Sequence, residues 1–250
     1  GEPTARGGNE RGWPLAEPFA VPDEVRSLYA RRSDGLKRER LEWEDTHRAW
    51  QETHRDKAAL WKRLFTPEIP EGLYATLAEA AGREAGATRA LSGKVLQRAA
   101  ELLPGLVGGS ADLAPSNKTI IQDSPAVAPG SFSGRNLHFG VREHAMGAVL
   151  NGLALSGGLI PYGGTFLVFS DYMRPSIRLA ALMELGVIYV FTHDSIFVGE
   201  DGPTHQPIEN LAALRVIPGL TVYRPADALE CAAGWTLAIQ RRSGPTALVL

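Results

Sequence analysis

From Ala75 onward, stretches with helical hydrophobic spacing alternate with short apolar runs, the pattern of a parallel sheet covered by helices. Thr88 to Leu103 sets Leu91, Val95, Leu96, Ala99, Leu102 and Leu103 on one side of a predicted helix. "GLVGGSAD" reads as a strand opening into a glycine loop, and "RNLHFG" as a second strand followed by a helix over about Arg142 to Leu155. "LIPYGGTF" leads to a helix expected around Arg178 to Leu185. "GVIYVFTH" leads into a long loop and a helix near Glu209 to Leu214, and "LTVYRP" into Ala226 to Gln240. "TALVL" is the last predicted strand. The expected fold class is α/β, a parallel sheet with helices on both faces, preceded by a mainly helical segment.

That preceding segment has a different character, rich in Arg, Glu and Trp. Leu36 to Phe65 contains no Gly or Pro and spaces Leu36, Trp43 and Trp50 seven residues apart, which predicts one long helix with a single apolar face. Its Arg and Lys alternate with Glu and Asp, so their fields cancel, which favours a linker helix over a nucleic-acid arm. The expected division is a linker over 1–75 and an α/β domain over 76–250. With 250 residues, 44% hydrophobic and 22% charged, the chain suits one sizeable soluble domain with an appendage.

A net charge of −2 gives no general attraction to nucleic acid or anionic lipid, so a basic site must be a local pocket, such as one for phosphorylated small molecules. No apolar run of about 18 residues marks a membrane span. The single cysteine, Cys231, sits among Ala228, Leu229, Ala232 and Ala233, reads as a buried small hydrophobe, and agrees with a cytoplasmic location. The start Gly1-Glu2-Pro3-Thr4 is neither a signal peptide nor an initiator methionine, so the chain is expected to be part of a longer one.

Ligands of such sheets gather at the carboxyl ends of the strands. Asp112 and Ser116, Arg142 and Glu143, Phe166 and Phe169, and the loop from His193 to His205 directly follow predicted strands and are expected on one edge. The loop "THDSIFVGEDGPTHQP" carries His193, Glu200, Asp201 and His205 in a spacing that matches no familiar metal pattern, so no metal ligand is assigned. Surface polarity is its ordinary explanation, but a long loop in a compact domain is more often functional than idle. For Glu143, in the first turn of its helix, pairing with the helix dipole is the ordinary reading. Phe166, Phe169 and Tyr172 stand three residues apart; packing is the default account, and their place after a strand favours a stacking platform.

Taken together, "GGSADLAPSN", "ATRALS", "REHAMG", "PYGGTF" and "THDSIFVGEDGPTHQP" stand in an order and spacing that strongly resemble transketolase over essentially the whole chain. "EPFAVPDEV" and the charged helix resemble that family's linker into its pyrimidine-binding domain. Deoxyxylulose-phosphate synthase shares the Glu and a "DGPTH"-like loop but lacks "REHAMG" and "GGSADLAPSN". A formaldehyde-accepting transketolase is a nearer alternative, and a noncatalytic interaction module keeping the fold is one of a different class.

The resemblance implies transfer of a two-carbon ketol unit from a ketose phosphate to an aldose phosphate, a pentose phosphate pathway reaction, with thiamine diphosphate as cofactor. Glu143 matches the glutamate that bonds to N1′ of the aminopyrimidine and promotes proton removal from thiazolium C2. That bond needs a protonated or shared carboxyl, a state favoured by burial against apolar surface. Phe169 matches the ring stacked on the pyrimidine, with Phe166 and Tyr172 completing the wall, and Asp112 matches a carboxylate near the cofactor at the subunit interface. Asp201 and His205 match groups that bond sugar hydroxyls and assist proton transfer. Arg89, Ser116 and His193 match the donors for the terminal phosphate, where a planar guanidinium meets oxygens in pairs. Mg²⁺ and the diphosphate belong to a preceding domain with a Gly-Asp-Gly and Asn motif absent here. The expected partners are therefore sugar phosphates and either the second subunit of a homodimer or a separate diphosphate-binding chain. No nucleic acid or membrane is expected.

Overall fold

The computed structural model describes residues 19–66 and 68–250, so the readings made on Gly1-Glu2-Pro3-Thr4 and on the first two residues of "EPFAVPDEV" lie outside the described residues. The chain divides into two compact units, one ending at Ala58 and one spanning Ala59–Leu250. In the first, helix α1 (Asp23–Thr53) opens on Pro22 with Asp23 and Glu24 in its first turn, where carboxylates meet the positive end of the helix dipole. The expected start at Leu36 is corrected: the helix passes through Gly35. A glycine there costs about 1 kcal/mol against alanine, and close-range pairs such as Lys37–Asp34 (3.2 Å) and Arg40–Glu44 (2.7 Å) support the turns around it. The run is also two helices rather than one. His54 leaves helical geometry (φ −124°, ψ 61°) with its ring against Trp50, and α2 follows over Arg55–Phe65. None of α1 is buried.

In the second unit come α3 (Leu73–Ala81), α4 (Thr88–Leu102), β1 (Leu106–Ser110), the short α5 (Ala114–Asn117), β2 (Asn136–His138), α6 (Glu143–Leu155) and β3 (Ile160–Phe166). A 3₁₀ turn over Leu167–Phe169 leads into α7 (Ser170–Leu182), followed by β4 (Ile188–Thr192), a second 3₁₀ turn (Pro203–His205), α8 (Asn210–Arg215), β5 (Thr221–Tyr223), α9 (Ala228–Gln240) and β6 (Thr246–Val249). The six strands form one parallel sheet in the order β2-β1-β3-β4-β6-β5. The helix expected around Arg178–Leu185 starts eight residues earlier. Pro175 looks like a helix start in sequence, yet it lies inside α7 because Met173, Ser176, Ile177, Ala180 and Ala181 make a continuous buried face across it.

Alternation along the strands builds two cores. On β4, Ile188 and Val190 face a cluster with α3, α4 and α9, while Tyr189 and Phe191 face one with α6, α7 and α8. Trp235 of α9 anchors the first: fully buried, it lies edge-on to Tyr162 (6.2 Å) and donates from Nε1 to Ser92 Oγ at 2.8 Å. Trp235→Ala is expected to cost about 3–5 kcal/mol through the cavity it leaves, and more through the stranded Ser92 hydroxyl. Urea unfolding measures this, and a loss below about 1 kcal/mol would mean the core closes over the gap. Cys231 is buried beside this core, its thiol pushed up to about 12, mainly by burial and then by Asp227 and Glu230, so it is an inert filler.

Candidate functional site

Because all six strands are parallel, their carboxyl ends form one edge. The register sets Ser110 beside both His138 and Gly164, and Phe166 beside Thr192. The glycine pair of "PYGGTF" makes this edge by close packing on both faces. A Cβ at Gly163 would collide with Leu150 and crowd Met146 of α6, while one at Gly164 would lie 2.8 Å from Ser110 Oγ and 3.3 Å from Asn117 Nδ2.

At the end of β3, Phe166 is buried and Phe169 half-buried, with ring centres 6.0 Å apart and planes within 10°. Tyr172 continues the row 6.1 Å from Phe169 but is 65% exposed. His193, just past β4, lies 3.8 Å from Phe166 between ring centres, and His205 lies 5.2 Å from Phe169. Helix α4 brings Arg89 from far away in sequence: its Nη1 is 2.8 Å from His193 Nε2 and donates to the Ser116 carbonyl at 3.3 Å. Ser116 thus enters through its backbone oxygen. His193, directly after β4, has left-handed backbone (φ 58°), an uncommon state for a non-glycine residue. Burial, then Arg89, hold its imidazole below the usual range, opposed by Asp201, whose carboxylate belongs to the exposed part of the loop. The His205 Nδ1 is engaged with Thr204 Oγ1 at 2.9 Å, leaving Nε2 for another partner.

Glu143 is half-buried as the first residue of α6, and Asp112 is exposed, with φ 61°, just beyond β1. Among the described residues no hydrogen bond or ion pair ties either carboxylate to the ring cluster, and no three His, Cys, Asp or Glu side chains converge as a metal site. What sequence reasoning missed is the layer beneath: Thr192 Oγ1 donates to Asn117 Oδ1 at 2.6 Å, and Asn117 Nδ2 donates to Ser110 Oγ at 3.0 Å. Asn117 was visible in "GGSADLAPSN", but nothing in that string points to a residue 75 positions away.

A parallel sheet covered on both faces, with aromatic, imidazole and guanidinium groups converging at its carboxyl edge, defines a doubly wound α/β ligand-binding domain. Residues 84–250 match the family model of the transketolase pyrimidine binding domain. A transketolase of Geobacillus stearothermophilus is 53% identical over 240 residues, covering 95% of this chain and 36% of that protein. The solved transketolase of Pichia stipitis in complex with sedoheptulose 7-phosphate superposes with a TM-score of 0.88 at 39% identity, over 96% of this chain and 37% of that one. An inactive β4 tetramer of a split-gene transketolase matches with a TM-score of 0.54 at 32% identity, over 67% of this chain and 52% of that one. The chain therefore belongs to the transketolase family. It spans about a third of the length of the curated relatives it matches.

Proposed function

We propose that this chain supplies the pyrimidine-binding half of a ketol-transfer site, acting on ketose and aldose phosphates once a diphosphate-binding domain is joined to it. The observation that carries this reading is the convergence of Arg89 and His193 on the Phe166 and Phe169 rings at one strand edge. Thiamine diphosphate, when bound, supplies the acidic C2–H and the electron sink for breaking a carbon–carbon bond.

The residues fit that cofactor's organic half. Phe169, half-open beside Phe166 and Tyr172, offers a flat face for an aminopyrimidine. Glu143, at the start of α6, holds a proton at the pyrimidine N1′ position, and Asp112 stands near the cofactor at the subunit interface. Arg89 and His193, with the Ser116 hydroxyl, hold the ester phosphate, while the Ser116 carbonyl accepts from Arg89. Asp201 and His205 bond sugar hydroxyls, His205 through Nε2 because Nδ1 is engaged with Thr204.

The linker over 1–75 and pyrimidine-binding domain over 76–250, the Mg²⁺ ligands on the diphosphate-binding part, a homodimer or separate partner chain, and a cytoplasmic location belong to the same proposal. Among the described residues no helix is long and apolar enough to cross a membrane. The inactive tetramer of the split-gene relative supports a division of the site between parts.

Arg89→Ala tests the phosphate assignment. A charge-assisted contact is worth about 1.5–3 kcal/mol, so KM for phosphorylated sugars should rise about 10- to 150-fold in the assembled enzyme while unphosphorylated analogues change little. Equal losses on both would make Arg89 a structural residue.

A further inference from the structure

Beneath the sheet edge a chain of hydrogen bonds runs from Arg89 into the core, and its direction can be read. A guanidinium only donates, so His193 Nε2, 2.8 Å from Arg89 Nη1, must be the bare, accepting nitrogen. A neutral ring then carries its hydrogen on Nδ1, 2.8 Å from Thr192 Oγ1, which accepts it. The Thr192 hydroxyl donates onward to Asn117 Oδ1 (2.6 Å), Asn117 Nδ2 donates to Ser110 Oγ (3.0 Å), and the Ser110 and Thr119 hydroxyls lie 2.7 Å apart. Thr192, Asn117, Ser110 and Thr119 are each at most 2% exposed, so every hydrogen in the chain needs an acceptor within it. The opposite tautomer would set an N–H against Arg89.

The strand pattern builds this relay. Thr192 continues the side of β4 that carries Ile188 and Val190, and Ser110 and Gly164 are register partners. The ionisable groups acting on His193 are Arg89 from α4, Asp201 and His205 from the loop, and Asp194, itself paired with Arg224 at 2.6 Å; the Phe166 ring lies against it as well.

We propose that Thr192 and Asn117 are positioning residues that hold His193 as its Nδ1–H tautomer, so that a phosphate ester that draws Arg89 off Nε2 and binds both groups brings one proton to Nε2 as it binds. This rests on the phosphate reading of Arg89 and His193 given above. An ester dianion has no hydrogen of its own well above its second pKa of about 6, and a bare Nε2 presents a lone pair to its oxygens. The proton comes from solvent, the new bond is Nε2–H, and the resulting imidazolium donates to the ester through Nε2 and to Thr192 through Nδ1.

Burial and Arg89 keep the ring neutral before binding, and the bound dianion raises its proton affinity. Affinity for the dianion is therefore full below the free-state pKa of His193. It falls about tenfold per pH unit as pH rises through the window up to the bound-state value.

The test is nitrogen NMR of the assembled enzyme with this chain histidine-labelled, at about pH 8, where the ester is a dianion, without ligand and with an aldose 5-phosphate. Calorimetry in two buffers of different ionisation enthalpy counts the protons. Expected in the wild type are hydrogen on Nδ1 and a bare Nε2, then hydrogen on both with uptake approaching about one proton per ester bound. Thr192→Val removes the acceptor for Nδ1–H, leaves the imidazolium without its second partner, and should weaken uptake and flatten the pH slope; Thr192→Ser should restore both. Hydrogen on Nε2 in the free wild type, or ester binding without uptake, overturns the lock while leaving the phosphate reading intact. Failure of the ester to bind the assembled enzyme near His193 at any pH would overturn both, and the ligand-free spectrum would show which step failed. The wild-type measurements decide the matter even if the valine variant does not fold.

Discussion

Supplied with thiamine diphosphate and Mg²⁺ but no diphosphate-binding domain, the chain is expected to show no ketose-to-aldose transfer, and activity is expected to appear when that domain is provided in the same or another chain. In the proposed assignment the rings of Phe166 and Phe169 and the Glu143 carboxyl address only the pyrimidine. The charged half of the cofactor finds no convergent set of metal-ligating side chains among the described residues. Stacking and one hydrogen bond contribute a few kcal/mol, which after the entropic cost of association leaves affinity weaker than about micromolar. Calorimetric titration of cofactor and Mg²⁺ into the purified chain, alongside a transfer assay, covers both halves. Tight Mg²⁺-dependent binding or turnover by the chain unaided would overturn the proposed division of the site.

In the assembled enzyme, Glu143→Gln is expected to keep the fold and slow deuterium exchange at thiazolium C2 by about 10²- to 10⁴-fold, the range for losing a positioned acid–base group. The amide matches the carboxyl in size at the first residue of α6, so packing is preserved while the transferable proton is lost. Exchange at the wild-type rate would remove Glu143 from its assigned role. A matching loss of thermal stability would instead point to the carboxylate's effect on the helix dipole.

Much of the α/β unit was legible because its signals are local. The run "GVIYVFTH" is apolar and β-branched, and β4 occupies Ile188–Thr192 within it. The apolar spacing of Thr88–Leu103 becomes α4, whose buried residues are Leu91, Ser92, Val95, Leu96, Ala99 and Ala100. Where propensity and packing compete, reading fails: Pro175 and Gly35 look like boundaries, but a continuous buried face carries α7 through the first and flanking charge pairs carry α1 past the second. The break at His54 has no glycine or proline to announce it.

For the site, the sequence by itself determined the family, through contiguous strings such as "REHAMG" and "PYGGTF", and it determined that the residues following each strand share one edge, because parallel strands leave no alternative. It could not decide which of those residues meet. Arg89 reaches His193 across 104 positions, and Thr192 reaches Asn117 across 75, only because the sheet brings α4, α5 and the end of β4 to one place. The direction of those hydrogen bonds, and with it the tautomer of His193, follows from a donor-only guanidinium at one end and groups buried from solvent along the rest. These are properties of neighbours in space, and a linear pattern carries no information about them.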